Sequence, residues 1–291
     1  MSGLQLLRPL QWVKNVFVLT PLFFSNNLLN GELLWPTLMV FVAFCLVSSS
    51  VYCFNDIYDK EADRQHPVKC NRPIASGNVS VRTGYVLMVL TFLASFILML
   101  FVASPQRSLL LIIISGYWLT NIAYCIKLKQ YAIIDVFLIA AGYVLRVLSG
   151  GLVADIEVSG WLVLLTFLLC LFLALTKRRD DFYLFETTGK MPRRSISGYS
   201  AQFIDLSVTM VATITIVCYI LYTMSESVIE RMGTPYLYLT SIWVLAGLLR
   251  YLQNMLVFHS SGSPTKVVMT DHFIQLCIVG WLASFFAIIY C

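Results

Sequence analysis

Charge is scarce in this chain. Of its 291 residues only 12% are Asp, Glu, Lys or Arg, while 59% are hydrophobic and the mean hydropathy is +0.80. A soluble domain of this length has no use for so much apolar surface, so the scarcity excludes one and points to a polytopic membrane protein. Histidine is scarcer still: His66, His259 and His272 are scattered and make no metal-ligand spacing. The eight cysteines, Cys45, Cys53, Cys70, Cys125, Cys170, Cys218, Cys277 and Cys291, include no Cys-x-x-Cys pair, and most lie in apolar runs. That argues against a zinc site or a disulfide framework and for small buried hydrophobes. Gly-x-x-x-x-Gly-Lys, Gly-x-Gly-x-x-Gly, Gly-x-Ser-x-Gly and His-Glu-x-x-His are all missing, which leaves nucleotide hydrolysis and serine or zinc hydrolysis without support. Arg8, Pro9, Gln11 and Lys14 precede any apolar run, with no short apolar region and cleavage site, so no cleaved signal peptide is expected.

What is present is a series of apolar runs, each near the length of about 20 residues that crosses a bilayer. They lie near 15–30, 34–54, 83–103, 108–126, 132–152, 159–176, 206–225, 235–256 and 272–290. The expected fold is therefore all-α, a polytopic membrane protein of nine transmembrane helices. Seventeen of the 20 Lys and Arg residues fall on one side of that arrangement, against Arg107 and Arg231 on the other and Arg146 within a helix. By the positive-inside rule the N-terminus is cytoplasmic and the C-terminus outside. The two longest loops, about 55–82 and 177–205, are then cytoplasmic and cap any active site. A single domain over 1–291 is expected, with no linker and no internal repeat.

The chemistry concentrates where the second run ends, in Asn55-Asp56-Ile57-Tyr58-Asp59-Lys60-Glu61-Ala62-Asp63. On a helix Asp56, Asp59 and Asp63 fall at roughly 0°, −60° and −20°, with Asn55 at roughly −100° and Glu61 on the far side. Three carboxylates on one face repel one another unless cations sit between them. Hard oxygen ligands of this kind suit Mg²⁺ carrying substrate phosphates, with Asp56, Asp59 and Asp63 as the metal set. Lys69 and Arg72 follow closely in a turn at Pro73, where cations opposite a metal suit a diphosphate; Lys69 alternatively reads as ordinary topogenic charge. Tyr124 and Lys129 flank a short turn as candidate substrate ligands. Asp135 either faces substrate or complements a helix dipole. Arg146, eleven residues on and within about 20° of the same face, is either functional or a side chain snorkelling to the far surface. Lys177, Arg178 and Arg179 with Asp180 and Asp181 stand at the end of the sixth run, where the acids mark paired or substrate-facing groups.

Asn55-Asp56-x-x-Asp59-x-x-x-Asp63 at the end of a second apolar helix resembles the first aspartate-rich motif of the UbiA-type intramembrane prenyltransferases. The second such motif of that superfamily is replaced here by Lys177-Arg178-Arg179-Asp180-Asp181. Further stretches are similar to its decaprenyl-phosphate phosphoribosyltransferase branch. They are Arg8-Pro9-x-Gln11-Trp12-Val13-Lys14-Asn15, Tyr52-x-x-Asn55-Asp56, Asp63-Arg64-x-His66-Pro67, Arg72-Pro73-Ile74-Ala75, Leu128-Lys129 and Leu145-Arg146-x-x-x-Gly150-Gly151.

The resemblance implies a UbiA-type bundle in a bacterial inner membrane. It implies an Mg²⁺-dependent transfer from 5-phosphoribosyl 1-diphosphate to a polyprenyl phosphate, feeding lipid-linked donors for cell-wall arabinan. It implies a homo-oligomer, a trimer, and no nucleic-acid partner. Lys69 and Arg72 would help hold the donor, and Lys129, Lys177 and Arg178 the 5-phosphate or lipid phosphate. The competing readings are a prenyltransferase with an aromatic acceptor and a non-catalytic polyprenyl-phosphate binder or transporter. Asp56→Ala is expected to end turnover but spare folding, because it removes repulsion.

Overall fold

The structure, a computed structural model, describes residues 2–65, 69–102, 104–189, 194–258 and 264–290. His66, Pro67, Lys190, Arg193, His259 and Cys291 lie outside them. Among the described residues every regular element is helical and no cysteine is in a disulfide. The chain forms two compact units, Met1–Val158 and Ser159–Cys291.

In the first unit a short helix, Ser2–Leu7, leads into a 3₁₀ helix, Pro9–Leu19, and a further short helix, Thr20–Phe24. Four long helices follow: α1 (Gly31–Tyr58), α2 (Val81–Leu100), α3 (Arg107–Ile126) and α4 (Ile134–Ala154). Side-chain caps fix the starts of α1 and α2: Asn30 accepts from Glu32 N–H at 3.1 Å and Ser80 from Thr83 N–H at 3.0 Å. In the second unit lie α5 (Gly160–Thr188), α6 (Ala201–Met224), α7 (Ser241–Leu256) and α8 (His272–Tyr290). Gly189, at φ 67°, ends α5 in the left-handed conformation that glycine adopts without strain.

By length and composition α1 to α6 can each cross a bilayer. The pair Glu226–Met232 and Tyr236–Leu256, bent by 97°, brings the number to seven if it counts as one span. The expected first crossing at 15–30 is not one helix. The 3₁₀ and short α segments stand there instead, with Pro21 in the first turn of Thr20–Phe24, where its missing N–H is tolerated. The sixth run also differs. Helix α5 continues to Thr188, so Lys177 to Asp181 lie within it and not in a following loop.

Helix α1 is the axis of the first unit, packed by α2, α3, α4 and the 3₁₀ segment. Helix α2 turns small and hydroxylated residues inward and apolar ones outward. On α2 the buried residues are Gly84, Thr91, Ser95 and Met99, while Val86, Val89, Leu90, Leu93 and Ile97 are exposed. In lipid the outer face gains nothing from burial, so helices associate through small residues and hydrogen bonds. Ser95 Oγ donates to Ala43 O and Ser50 Oγ to Met88 O, both at 2.8 Å. Ser49 Oγ donates to Leu7 O at 2.9 Å, which ties the N-terminal segment to α1.

The 3₁₀ segment lies so close to α4 that a Cβ on Gly150 would overlap the Val18 carbonyl oxygen, a backbone atom no rotamer change can move. Gly150→Ala is therefore expected to destabilise the protein by about 1–3 kcal/mol, although alanine is the better helix former. Gly116→Ala, with open space around its new Cβ, is expected to be neutral or stabilising. Thermal unfolding of both variants in one detergent checks this; a Gly150→Ala midpoint at or above wild type would contradict it.

Candidate active site

The acidic stretch straddles the end of α1. Asp59 (φ −89°, ψ 5°) closes that helix and Lys60–Arg64 forms a further turn. The backbone stays nearly helical across the join: Asp59 N–H donates to Asn55 O at 2.9 Å and Asp63 N–H to Asp59 O at 2.7 Å. Asp56 and Asp63 are consequently both buried on one side. Asp59 is more open, its side chain 24% exposed. Glu61 points away, into an exposed pair with Arg64 at 3.2 Å.

Carboxylates gathered like this need cations, and the chain supplies its own. Arg72 Nη1 lies 2.6 Å from Asp63 Oδ2 and 3.3 Å from Asp56 Oδ1, bridging the two. Arg8 Nη2 reaches the same Asp56 oxygen at 2.5 Å. Lys129 Nζ lies 2.6 and 2.7 Å from the two Asp59 oxygens. The remaining atom, Asp56 Oδ2, is buried with no hydrogen-bond partner among the described residues. This corrects the expectation that Asp56→Ala merely relieves repulsion, since the substitution removes the carboxylate that pairs with Arg8 and one of the two that Arg72 touches.

Local structure explains the placement of each cation. Arg72 follows the 3₁₀ turn Lys69–Asn71, and the turn is closed by Val79 N–H donating to Pro73 O at 2.9 Å. Ile74, buried with Leu6, Cys53 and Val79, nails that turn to the unit. Arg64 Nε donates to Ala75 O at 3.2 Å and joins the acidic helix to it. Arg8 takes a left-handed backbone (φ 51°) before Pro9, with its guanidinium over the Tyr52 ring at 4.9 Å. Lys129 sits in the 3₁₀ turn Leu128–Gln130 between α3 and α4, over the Tyr58 ring at 5.4 Å.

The other candidates take several positions. Asn55 is half-buried and accepts from Cys125 Sγ at 3.5 Å. Tyr124 is half-buried on α3, and Lys69 half-buried in its turn. Asp135 is fully buried in the first turn of α4. Arg146 does not snorkel. It is 6% exposed and donates to Asn15 Oδ1 and Gly142 O at 2.7 Å, Tyr117 Oη at 2.8 Å and Ser48 Oγ at 3.3 Å.

In the second unit Lys177 is exposed. Arg178 is fully buried, its Nη1 2.7 Å from Asp181 Oδ2, the pairing that the adjacent acids suggested. Arg179 staples three helices, with Nε to Asp205 Oδ1 and Nη1 to Met255 O, both at 2.5 Å.

Sequence reasoning assigned no role to Arg8, Asn15, Ser48 or Tyr117. Arg8 and Asn15 lie in the N-terminal motif that carries the resemblance, but nothing in their spacing reveals that they meet Asp56 and Arg146, 48 and 131 residues away.

The sequence model of the UbiA prenyltransferase family matches residues 17–274, running through both units. The chain belongs to the UbiA prenyltransferase family. It is 32% identical over 300 residues to decaprenyl-phosphate phosphoribosyltransferase of Mycolicibacterium smegmatis, across 99% of this chain and 93% of that one. To the protein of the same name in Corynebacterium glutamicum it is 33% identical over 278 residues, covering 95% and 83%. A solved UbiA homolog from Archaeoglobus fulgidus, bound to GPP and Mg²⁺, shares the fold with a TM-score of 0.71 at 16% identity over 100% of both chains. The family expected from the motifs is the one found, and the chain is a multi-pass membrane member of it.

Arg72→Ala leaves two buried carboxylates of this UbiA site facing each other, and breaking a buried pair costs about 3–5 kcal/mol. Asp63→Asn alone should cost less, and the double variant should recover part of the Arg72→Ala loss. A double-mutant cycle read by unfolding in detergent checks the coupling, expected above about 1 kcal/mol; additive losses would contradict the bridge.

Proposed function

We propose that this UbiA-family protein transfers the 5-phosphoribosyl group of 5-phosphoribosyl 1-diphosphate to decaprenyl phosphate or a similar polyprenyl phosphate, releasing pyrophosphate. The observation that carries this reading is the near-full-length likeness to enzymes named for that transfer. It is supported by Lys177-Arg178-Arg179 in a place where a prenyl-diphosphate enzyme would have a second acidic motif.

Mg²⁺ fits the residues present. Among the described residues no three His, Cys, Asp or Glu groups gather into a protein-only cage. Magnesium, however, is usually held by one or two carboxylates together with substrate phosphates. Asp56, with an unpartnered buried oxygen, and Asp63, joined to it through Arg72, make such a pair; Asp59 is the third ligand candidate. Bound there, the ion would neutralise the diphosphate as it leaves.

The chain's own groups do the rest. The C1–O bond to diphosphate breaks as a lipid-phosphate oxygen forms the new bond to ribose C1, and the electron pair leaves with pyrophosphate. An acceptor phosphate with a second pKa of about 6 is largely dianionic at neutral pH, so no general base is needed. Arg8, Arg72 and Lys129 already stand against the carboxylates, so a diphosphate with its metal can take them as partners without ordering new side chains. Asn55, Lys69, Tyr124 and Asp135 are proposed to line the donor site. Lys177 and Arg178 are proposed phosphate ligands.

We further propose nine crossings, counting Pro9–Phe24 and α8 with the seven spans above, as one functional domain over 1–291. The N-terminus and the site would face the cytoplasm of a bacterial inner membrane and the C-terminus the outside. The chain would work as a homotrimer, feeding lipid-linked ribose and arabinose donors to cell-wall polysaccharide.

The test is transfer by purified protein from labelled phosphoribosyl diphosphate to decaprenyl phosphate. A labelled lipid is expected with Mg²⁺ and none with a chelator, and Asp56→Asn should lower the rate about 100-fold or more. Transfer only from a prenyl diphosphate to an aromatic acceptor would refute the reading.

A further inference from the structure

Arg146 carries a charge that the protein solvates but does not neutralise. Its four acceptors, Asn15 Oδ1, Gly142 O, Tyr117 Oη and Ser48 Oγ, are all neutral groups. The rings beside it, Tyr117 at 4.8 Å, Tyr143 at 5.2 Å and Phe44 at 5.6 Å, offer only their π faces. A charge buried in a helix bundle without an opposite charge is costly, and such residues line substrate or ion sites.

A second cation stands beside it. Lys14 is half-buried in the 3₁₀ segment, one residue before the asparagine that holds Arg146. Among the described residues its ammonium makes no ion pair and no hydrogen bond. The positive charges of Arg146 and Arg8 both act on it. Arg8 is itself matched by Asp56, and Asp56 by Arg72 as well. Among the described residues Lys14 and Arg146 are thus left as a cation pair with no anion paired to either. Asn15 is fixed from both ends: its Nδ2 donates to Cys45 Sγ at 3.2 Å while its Oδ1 accepts from Arg146. The backbone that presents Lys14 is rigid, and all three ammonium donors are open.

We propose that Lys14 and Arg146 form a phosphate-monoester subsite in the first unit, with Lys14 making the direct contact and Arg146 acting as the positioning residue through Asn15. Two phosphate monoesters belong to the proposed reaction, the lipid acceptor's phosphate and the 5-phosphate of the donor, and both are dianions near neutral pH. The subsite rests on that reading of the reaction for its ligand, and on the two unneutralised cations for its existence.

The experiment uses full-length protein in detergent, with decaprenyl phosphate and ribose 5-phosphate as separate binding probes and both substrates in turnover. Lys14→Ala is expected to weaken one of the two probes about 10-fold or more, the loss of a charge-assisted hydrogen bond, and to raise the KM of the matching substrate with kcat nearly kept. Lys14→Arg should retain most of the affinity, and the thermal midpoint should not move. The probe that weakens names the source of the phosphate.

Unchanged binding of both probes, or equal weakening of both with a fall in thermal midpoint, would overturn the proposal. If Lys14→Ala does not fold, Lys14→Gln takes its place; failure of both to fold would also overturn it. The two readings fail separately. Lys14-dependent binding without wild-type turnover refutes the proposed reaction alone. Normal wild-type turnover with Lys14→Ala KM values unchanged refutes the subsite alone.

Discussion

One arginine between two buried aspartates holds this site together. Asp56 and Asp63 lie seven residues apart on one side of a nearly continuous helix, and Arg72 touches both. Two buried carboxylates this close together at the edge of an apolar bundle need such a cation between them. The same demand for counter-charge draws in Arg8 from the N-terminal segment and Lys129 from the link between α3 and α4. Three stretches far apart in sequence are thereby pinned to the end of α1. On the proposed reading, these pairs keep the site organised between turnovers, because a diphosphate with its metal needs carboxylates and cations in these places.

Beneath the site, the bundle is built by small and hydroxylated residues. Consecutive serines on α1 divide the work. Ser48 faces Arg146, Ser49 binds the N-terminal segment and Ser50 joins α2 through its own bond and α3 through Trp118 Nε1 at 3.0 Å. Gly150 lets the 3₁₀ segment lie against α4. That approach brings Asn15 to Arg146 and sets Lys14 beside it, so the packing of a glycine and the electrostatics of the cation pair are one feature.

Much of this was legible in the residues, and the remainder had physical reasons to be hidden. The period of 3.6 placed Asp56, Asp59 and Asp63 on one face and Glu61 outside; Asp56 and Asp63 do share one arginine, while Asp59 is more open and pairs with Lys129. The period could not name their partners, because Arg8, Arg72 and Lys129 arrive through tertiary contacts. The end of the sixth apolar run was read as the end of a helix. Lys177 to Asp181 interrupt the apolar run but bring no Gly or Pro, and α5 runs on through them to Thr188. The first apolar run was read as one helix; a 3₁₀ segment and a short α-helix stand there instead, packed closely on α4 at Gly150. Arg146 was recognisable as an intramembrane charge, and only its neighbours decide between snorkelling and burial.

The most direct measurement is the affinity of 5-phosphoribosyl 1-diphosphate for the purified protein by calorimetry, with Mg²⁺ and with a chelator, in wild type and Asp56→Asn. If the Asp56, Asp63 and Arg72 bridge is where diphosphate and metal are received, the donor binds wild type only with Mg²⁺, and Asp56→Asn abolishes that dependence together with the binding. Equal affinity with and without Mg²⁺, unchanged by the substitution, would contradict the account.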